Sequence, residues 1–301
     1  MQYPLIVSDL RKTYKIKGER VAALKGVSFK VKKGEILGLL GPNGAGKTTT
    51  INILTGILKA DSGEIRFFGK KPSEETQNRI NAATAYNSLN GILSVWQNLK
   101  VYAKMYNVKN SNQRIEELLK KFGIYEIRNR RVHNLSSGQK TRVNICKGLI
   151  NSPDIIFLDE ATAGLDPDAA HRVREEIKNL NTTVIFTSHI MSEVEKLCDR
   201  IAFLSKGKLL KIDTPDGIKK LVKSDTMVVE FFSMPTNGNK ILAEFEIISK
   251  NKNKVFIKFK TDKDIHKVIH ALITSGFEIR DFHIRRPTLD EVFIKVARGE
   301  I

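Results

Sequence analysis

The run Gly41-Pro42-Asn43-Gly44-Ala45-Gly46-Lys47-Thr48 constrains this chain more than any other stretch. It fits G-x-x-x-x-G-K-[ST]. It stands between Glu35-Ile36-Leu37-Gly38-Leu39-Leu40, which reads as a buried strand, and a segment from Lys47 to Leu58 whose apolar positions Ile51, Leu54 and Leu58 recur at helical spacing. In a strand, glycine loop and helix of this kind, backbone N–H groups turn inward on a phosphate and the helix N-terminus adds positive potential. Lys47 then reaches the outer phosphates and the Thr48 hydroxyl can ligate magnesium. The pattern predicts a phosphate cradle of Gly41, Pro42, Asn43, Gly44, Ala45, Gly46, Lys47 and Thr48, with Thr49 beside it.

A second run, Ile155-Ile156-Phe157-Leu158-Asp159-Glu160, reads as a buried strand ending in adjacent carboxylates. At such a strand end Asp159 can hold magnesium through water. Glu160 can take a proton from an attacking water, a general-base role worth about 10² to 10⁴ in rate. Around these runs, strands near Leu5–Val7, Val27–Val31, Thr183–Phe186 and Ile201–Leu204 alternate with helices over Pro167–Leu180 and Met191–Leu197. The alternation predicts an α/β fold with a mostly parallel sheet and helices on its faces. From about Ser94 to Ile150 only helical signals occur, a helical insertion. After Thr214-Pro215-Asp216-Gly217 the pattern changes to strands at Met227–Phe232, Ile241–Ile248 and Val255–Phe259, a helix at Ile265–Ile273, a strand at Phe277–Ile284 and a helix at Leu289–Val296. This reads as a small α+β domain beginning near residue 223.

The 301 residues leave room for two domains, and 41% apolar with 28% charged residues is a globular composition. The apolar runs are strand-sized, far below the ~20 residues of a membrane span, and the N-terminus carries no secretory pattern. Cys146 and Cys198 read as reduced, buried thiols without metal-type spacing. The net charge of +18 calls for an anionic partner or a solvated lysine-rich surface. Residues 100–150 alone hold twelve Lys and Arg against three Asp and Glu.

Leu135-Ser136-Ser137-Gly138-Gln139 goes beyond a generic phosphate-loop protein. Together with the loop before it, the Asp-Glu strand after it, then Gly164-Leu165-Asp166 and His189, it makes residues 3 to 220 resemble the ATP-binding-cassette family. The resemblance implies a P-loop NTPase cassette over residues 1–222, with its helical subdomain at about 90–150, and a C-terminal accessory domain at 223–301. It implies two cassettes facing head to tail, each site binding ATP and magnesium between one copy's phosphate loop and the other's Ser136, Gly138 and Gln139. It also implies that His189 contacts the terminal phosphate, Asp166 lies across the interface, and Tyr14 stacks on adenine. The family's magnesium-contacting glutamine is missing from Ala85-Tyr86-Asn87-Ser88, where Asn87 is the nearest chemical substitute. Ser137 stands where the family usually has glycine.

The ending Pro287-Thr288-Leu289-Asp290-Glu291-Val292-Phe293 resembles cassette subunits of exporters of drugs, antibiotics, lipids or polysaccharides. The expected partners are therefore ATP, a second copy of this chain or a homologous cassette, and an integral membrane permease. The expected location is the cytoplasmic face of the cell membrane. The basic helical segment is expected to face anionic lipid, and salt-insensitive association with anionic vesicles would count against that. A soluble cassette ATPase acting on ribosomes or DNA, and an import-system cassette, are the alternatives. A double cassette and a long heptad coiled coil, which would mark the former, are absent from the sequence, so no nucleic-acid partner is expected.

Overall fold

The structure, a computed structural model, describes residues 2–300 apart from 17, 85–88, 163, 223–225, 252, 260–261 and 286. Asn87 therefore lies outside the described residues. The chain divides into two compact units, Met1–Ile218 and Lys219–Ile301.

The first unit opens with β1 (Leu5–Ile16) and β2 (Glu19–Val31), followed by β3 (Ile36–Leu40), α1 (Lys47–Leu54) and β4 (Ser62–Phe67). Next come α2 (Glu74–Gln77), β5 (Ile80–Ala83) and the helices α3 (Val95–Met105), α4 (Ser111–Lys121) and α5 (Ser137–Gly148). It closes with β6 (Ile155–Asp159), α6 (Pro167–Lys178), β7 (Thr183–Thr187), α7 (Met191–Leu197), β8 (Arg200–Ser205), β9 (Lys208–Asp213) and α8 (Pro215–Lys219).

Two sheets result. An antiparallel sheet of order β2-β1-β4 has one wet face, and from Val27 onward β2 shows the alternating burial this requires. The six-stranded sheet runs β5-β6-β7-β3-β8-β9, parallel except for β9. Its inner strands are continuous apolar runs because both faces are covered; all of β3 and β7 and the apolar residues of β6 are buried. Phe157 and Phe186 are fully enclosed, so truncating either to alanine would cost about 3–5 kcal/mol. The parallel register puts Leu158 beside Ala83 and Asp159 beside Thr187. The carboxyl ends of β3, β6 and β7 thus emerge along one edge, where ligands bind in open α/β sheets.

Several element boundaries differ from expectation. β1 runs to Ile16, well beyond Val7, and β2 starts at Glu19, well before Val27, because their outer halves pair through bulges. α1 ends at Leu54 rather than Leu58: Leu58 N donates to Asn52 O at 2.9 Å, a backward closure that terminates the helix.

In the second unit the order along the chain is β10 (Thr226–Ser233), α9 (Gly238–Leu242), β11 (Ile247–Asn251), β12 (Lys254–Lys258), α10 (Asp262–Thr274), β13 (Glu278–Arg285) and α11 (Leu289–Arg298). Its sheet, of order β11-β12-β10-β13, is antiparallel. Its core gathers Met227, Val229, Ile257, Leu272 and Phe277. The predicted strand over Ile241–Ile248 is instead a helical turn followed by a strand. The turn Pro235–Gly238 starts the helix, and Ile241 and Phe245, one helical turn apart, pack on the same core. α11 begins as its sequence suggests, with Thr288 and Glu291 forming a capping box.

Candidate functional site

The loop between β3 and α1 holds its shape through glycine. Gly46 has φ +105°, and a Cβ there would lie 2.6 Å from Leu24 Cδ2 and 2.9 Å from Ala23 O, so a side chain is excluded twice over. Gly44 has φ +76° but faces open space, so its glycine is required by backbone conformation and not by crowding. Ala45 is buried and its N–H donates to Pro42 O at 3.0 Å, while Asn43 is exposed. Lys47 folds back over the loop: Nζ donates to Gly41 O at 2.6 Å and to Pro42 O at 3.1 Å. Burial lowers the pKa of Lys47 from its ordinary value, against the opposing pull of Glu160 and Asp159. The lysine therefore lies within electrostatic reach of both carboxylates.

Thr187 at the end of β7 organises those carboxylates. Its hydroxyl donates to Asp159 Oδ1, and the Glu160 N–H donates to Thr187 O at 3.1 Å and reaches Thr187 Oγ1 at 3.3 Å. Glu160 has φ +54°, a left-handed backbone that non-glycine residues adopt at a cost of about 1–3 kcal/mol. The two bonds from its N–H hold it there. Its Oε2 meets His189 Nδ1 at 2.7 Å; the His189 side chain is 69% exposed and that of Glu160 27%. The open histidine is thus presented outward from a more protected carboxylate.

Tyr14 on β1 comes to the loop helix, its hydroxyl 3.4 Å from Thr49 Oγ1. Thr48 is exposed at the first turn of α1. Its hydroxyl and the Asp159 carboxylate are hard oxygen donors of the kind that suit magnesium, which is held by few protein ligands plus phosphate oxygens rather than by a protein cage. No group of three or more His, Cys, Asp or Glu that could hold a metal is found among the described residues.

The signature segment is built differently. Ser136 caps α5: its hydroxyl accepts from Gln139 N at 3.2 Å, and Gln139 Oε1 accepts from Ser136 N at 3.1 Å. Ser137 Oγ donates to Gly164 O at 3.2 Å, and a Cβ on Gly138 would stand 3.0 Å from Leu165 Cδ2. Signature and Gly164-Leu165-Asp166 are packed on each other. Asp166 caps α6, accepting from Ala169 N at 2.8 Å, with Pro167 in the first helical position. Among the described residues no hydrogen bond or ion pair joins Ser136, Gly138 or Gln139 to Lys47, Thr48, Glu160 or His189.

The sequence reading missed two residues here. Thr187 could have been flagged only by knowing that β7 lies next to β6, which puts it in register with Asp159. Glu193, buried at 4% exposure, looks from its text like any charge on a helix.

A glycine loop, paired carboxylates and a histidine converging on the carboxyl edge of a parallel sheet define a nucleotide-hydrolysing cassette. The family described as ABC transporter matches residues 24–163, and the family of the ATP-binding protein DrrA1-3-like C-terminal domain matches residues 214–297. An uncharacterized ABC transporter ATP-binding protein of Nostoc is 40% identical over 96% of this chain and 88% of its own. The daunorubicin resistance ATP-binding protein DrrA2 of Streptomyces coeruleorubidus is 30% identical over 98% and 95%. The linearmycin resistance ATP-binding protein LnrL of Bacillus subtilis is 38% identical over 68% of each chain.

Among solved structures, a dimeric bacterial ABC transporter cassette superposes with a TM-score of 0.65 at 26% identity, covering 70% of this chain and 98% of that one. A dimeric post-hydrolysis cassette bound to ADP and Pi superposes at 0.63, with 26% identity over 70% and 98%. The chain belongs to the ATP-binding-cassette transporter family. It has that family's P-loop α/β cassette fold, binds ATP, and is the ATPase subunit of a transporter.

Proposed function

We propose that this chain drives an exporter by closing as a head-to-tail pair on two ATP molecules, each held between the Gly41–Thr48 loop of one copy and Ser136, Gly138 and Gln139 of the other. The observation that carries the reading is the convergence of Lys47, Asp159, Glu160 and His189 on one sheet edge from β3, β6 and β7. Lys47 leaves the carbonyls of Gly41 and Pro42 for the outer phosphates, and Tyr14 packs on the adenine. Glu160 takes the proton of a water whose oxygen attacks the terminal phosphorus as the bond to ADP breaks; His189 occupies one carboxylate oxygen and steadies the other. Thr48 and Asp159 would hold magnesium, which would supply charge neutralisation to the phosphate oxygens. Asp166, at the cap of α6, faces the second copy.

Full-length likeness to DrrA2 and the matching C-terminal family favour the export of a drug-like or antibiotic-like compound. Residues 1–222 form the hydrolysing domain and 223–301 an accessory domain. A separate integral permease carries the cargo path and brings this chain to the cytoplasmic face of the membrane. Among the described residues no helix is long and apolar enough to cross a bilayer.

Replacing Glu160 by Gln keeps the shape and removes the base. The expected result is retained ATP affinity, a fall in turnover of about 10² to 10⁴, and an ATP-bound dimer that persists in size-exclusion chromatography. Turnover at the wild-type rate would remove Glu160 from the role of base.

A further inference from the structure

Behind the site lies a carboxylate that the hydrolytic chemistry does not use. Glu193 on α7 is buried at 4% exposure. Its Oε1 pairs with Arg174 of α6 at 3.0 Å, and both side chains are enclosed, at 13% and 6% exposure for Arg174 and Glu193. Its Oε2 accepts from the Thr162 hydroxyl and, at 3.3 Å, from Ser188 Oγ. Because Ser188 Oγ already accepts from Ile190 N at 3.0 Å, its proton is free to point at Glu193. Thr162 and Ser188 are buried as well.

These partners sit next to the reacting groups in sequence. Thr162 follows Glu160 by two residues, Ser188 immediately precedes His189, and Arg174 lies on the helix that Asp166 begins. One carboxylate thus ties together the three segments that carry Glu160, His189 and Asp166. The left-handed backbone at Glu160 and the 2.7 Å contact between Glu160 and His189 both depend on where those segments sit. A buried charge with all its partners in place is rigid, whereas the same group stripped of one partner forces its neighbours to move.

We propose that the Glu193–Arg174 pair is the positioning unit of the hydrolytic site, fixing through Thr162 and Ser188 the distance and orientation between Glu160 and His189. It acts through the Thr162 and Ser188 hydroxyls. The inference rests on the reading of Glu160 as base and His189 as its partner.

The experiment is a double-mutant cycle on the full-length chain assembled with its permease, reading kcat and KM for ATP with single and double variants. Glu193→Gln should lower kcat about tenfold or more while KM moves less than about twofold, since a small misplacement affects the chemical step more than binding. In the His189→Ala background, where residual turnover is followed, Glu193→Gln should cost less than about twofold more, because the contact it positions is gone. Equal fold-losses in both backgrounds would overturn the proposal and leave Glu193 a structural group. Wild-type turnover for His189→Ala alone would instead bring down the reading of His189, and the positioning role with it. If Glu193→Gln does not fold, Thr162→Val and Thr162→Ser decide. Loss of kcat in the first and its recovery in the second support the role, and equal activity in the two contradicts it.

Discussion

Around Gly41–Thr48 the charged side chains reach across the sheet: Lys47 lies near Asp159 and Glu160, Glu160 holds His189, and Thr187 on the neighbouring strand binds the Asp159 carboxylate and the Glu160 N–H. Around Ser136–Gln139 the polar groups turn back on themselves, Ser136 and Gln139 closing a capping box and Ser137 bonding Gly164. The first region is assembled from distant parts of one chain. The second is locally satisfied and exposed at Ser136; Ser137 lines a cavity with Asp159 and Glu160, but among the described residues no hydrogen bond or ion pair joins Ser136, Gly138 or Gln139 to Lys47, Thr48, Glu160 or His189. A helix N-terminus with its cap made and its remaining N–H groups outward is a surface prepared for an anion. In the dimeric reading, that anion is the terminal phosphate on the other copy.

The largest way to sharpen the contrast is to strip the assembled side. Lys47→Ala removes the charge that now bonds Gly41 O and Pro42 O and, with nucleotide present, the outer phosphates. ATP affinity should fall about a hundredfold, since charge-assisted bonds contribute about 1.5–3 kcal/mol each. Equilibrium binding of a fluorescent ATP analogue measures it, and unchanged affinity would overturn the phosphate-loop assignment.

A smaller effect should come from the locally satisfied side. Ser136→Ala loses the cap of α5, about 1 kcal/mol. It should weaken ATP-driven pairing of Glu160→Gln copies about fivefold, while leaving nucleotide affinity of the single copy unchanged. If single-copy affinity falls as well, Ser136 serves its own chain's site and the contrast between the two regions is broken.

A third effect, on stability rather than on nucleotide, lies at the far end of the same helix. Lys147 is buried beside the Tyr102 ring, and burial lowers its pKa from 10.5 to about 8. Between those values the unfolded chain keeps a proton that the folded chain has released, so stability should rise with pH from about 8 to about 10.5. Lys147→Met should flatten that rise, as read from urea midpoints at several pH values. A rise that persists in the variant assigns it to other groups.

How far the text of the chain reveals these features follows from their range. The loop, the Asp159-Glu160 strand end and the caps at Ser136, Asp166 and Thr288 are short-range patterns, and each is visible as spacing. Thr187 and Glu193 act only because β7 lies between β3 and β6 and because α6 and α7 pack behind that edge. Nothing in the spacing of Thr162, Arg174, Ser188 and Glu193 announces that they share one carboxylate. Ile241, Phe245 and Ile247 satisfy a strand and a helical turn equally well, and only their packing on a common core separates the two.

The composite site is the central claim, and a cross-link between copies tests it most directly. Cys146 and Cys198 are buried and burial pushes both thiols far above their usual range, so the native chain supplies a quiet background. Two differently tagged chains, both Glu160→Gln, would carry Asn43→Cys in one and Ser136→Cys in the other. The account predicts a disulfide between the two tags when ATP and magnesium are present and little without them. Cross-linking that ignores nucleotide, or none between the tags while ATP still binds, would contradict it.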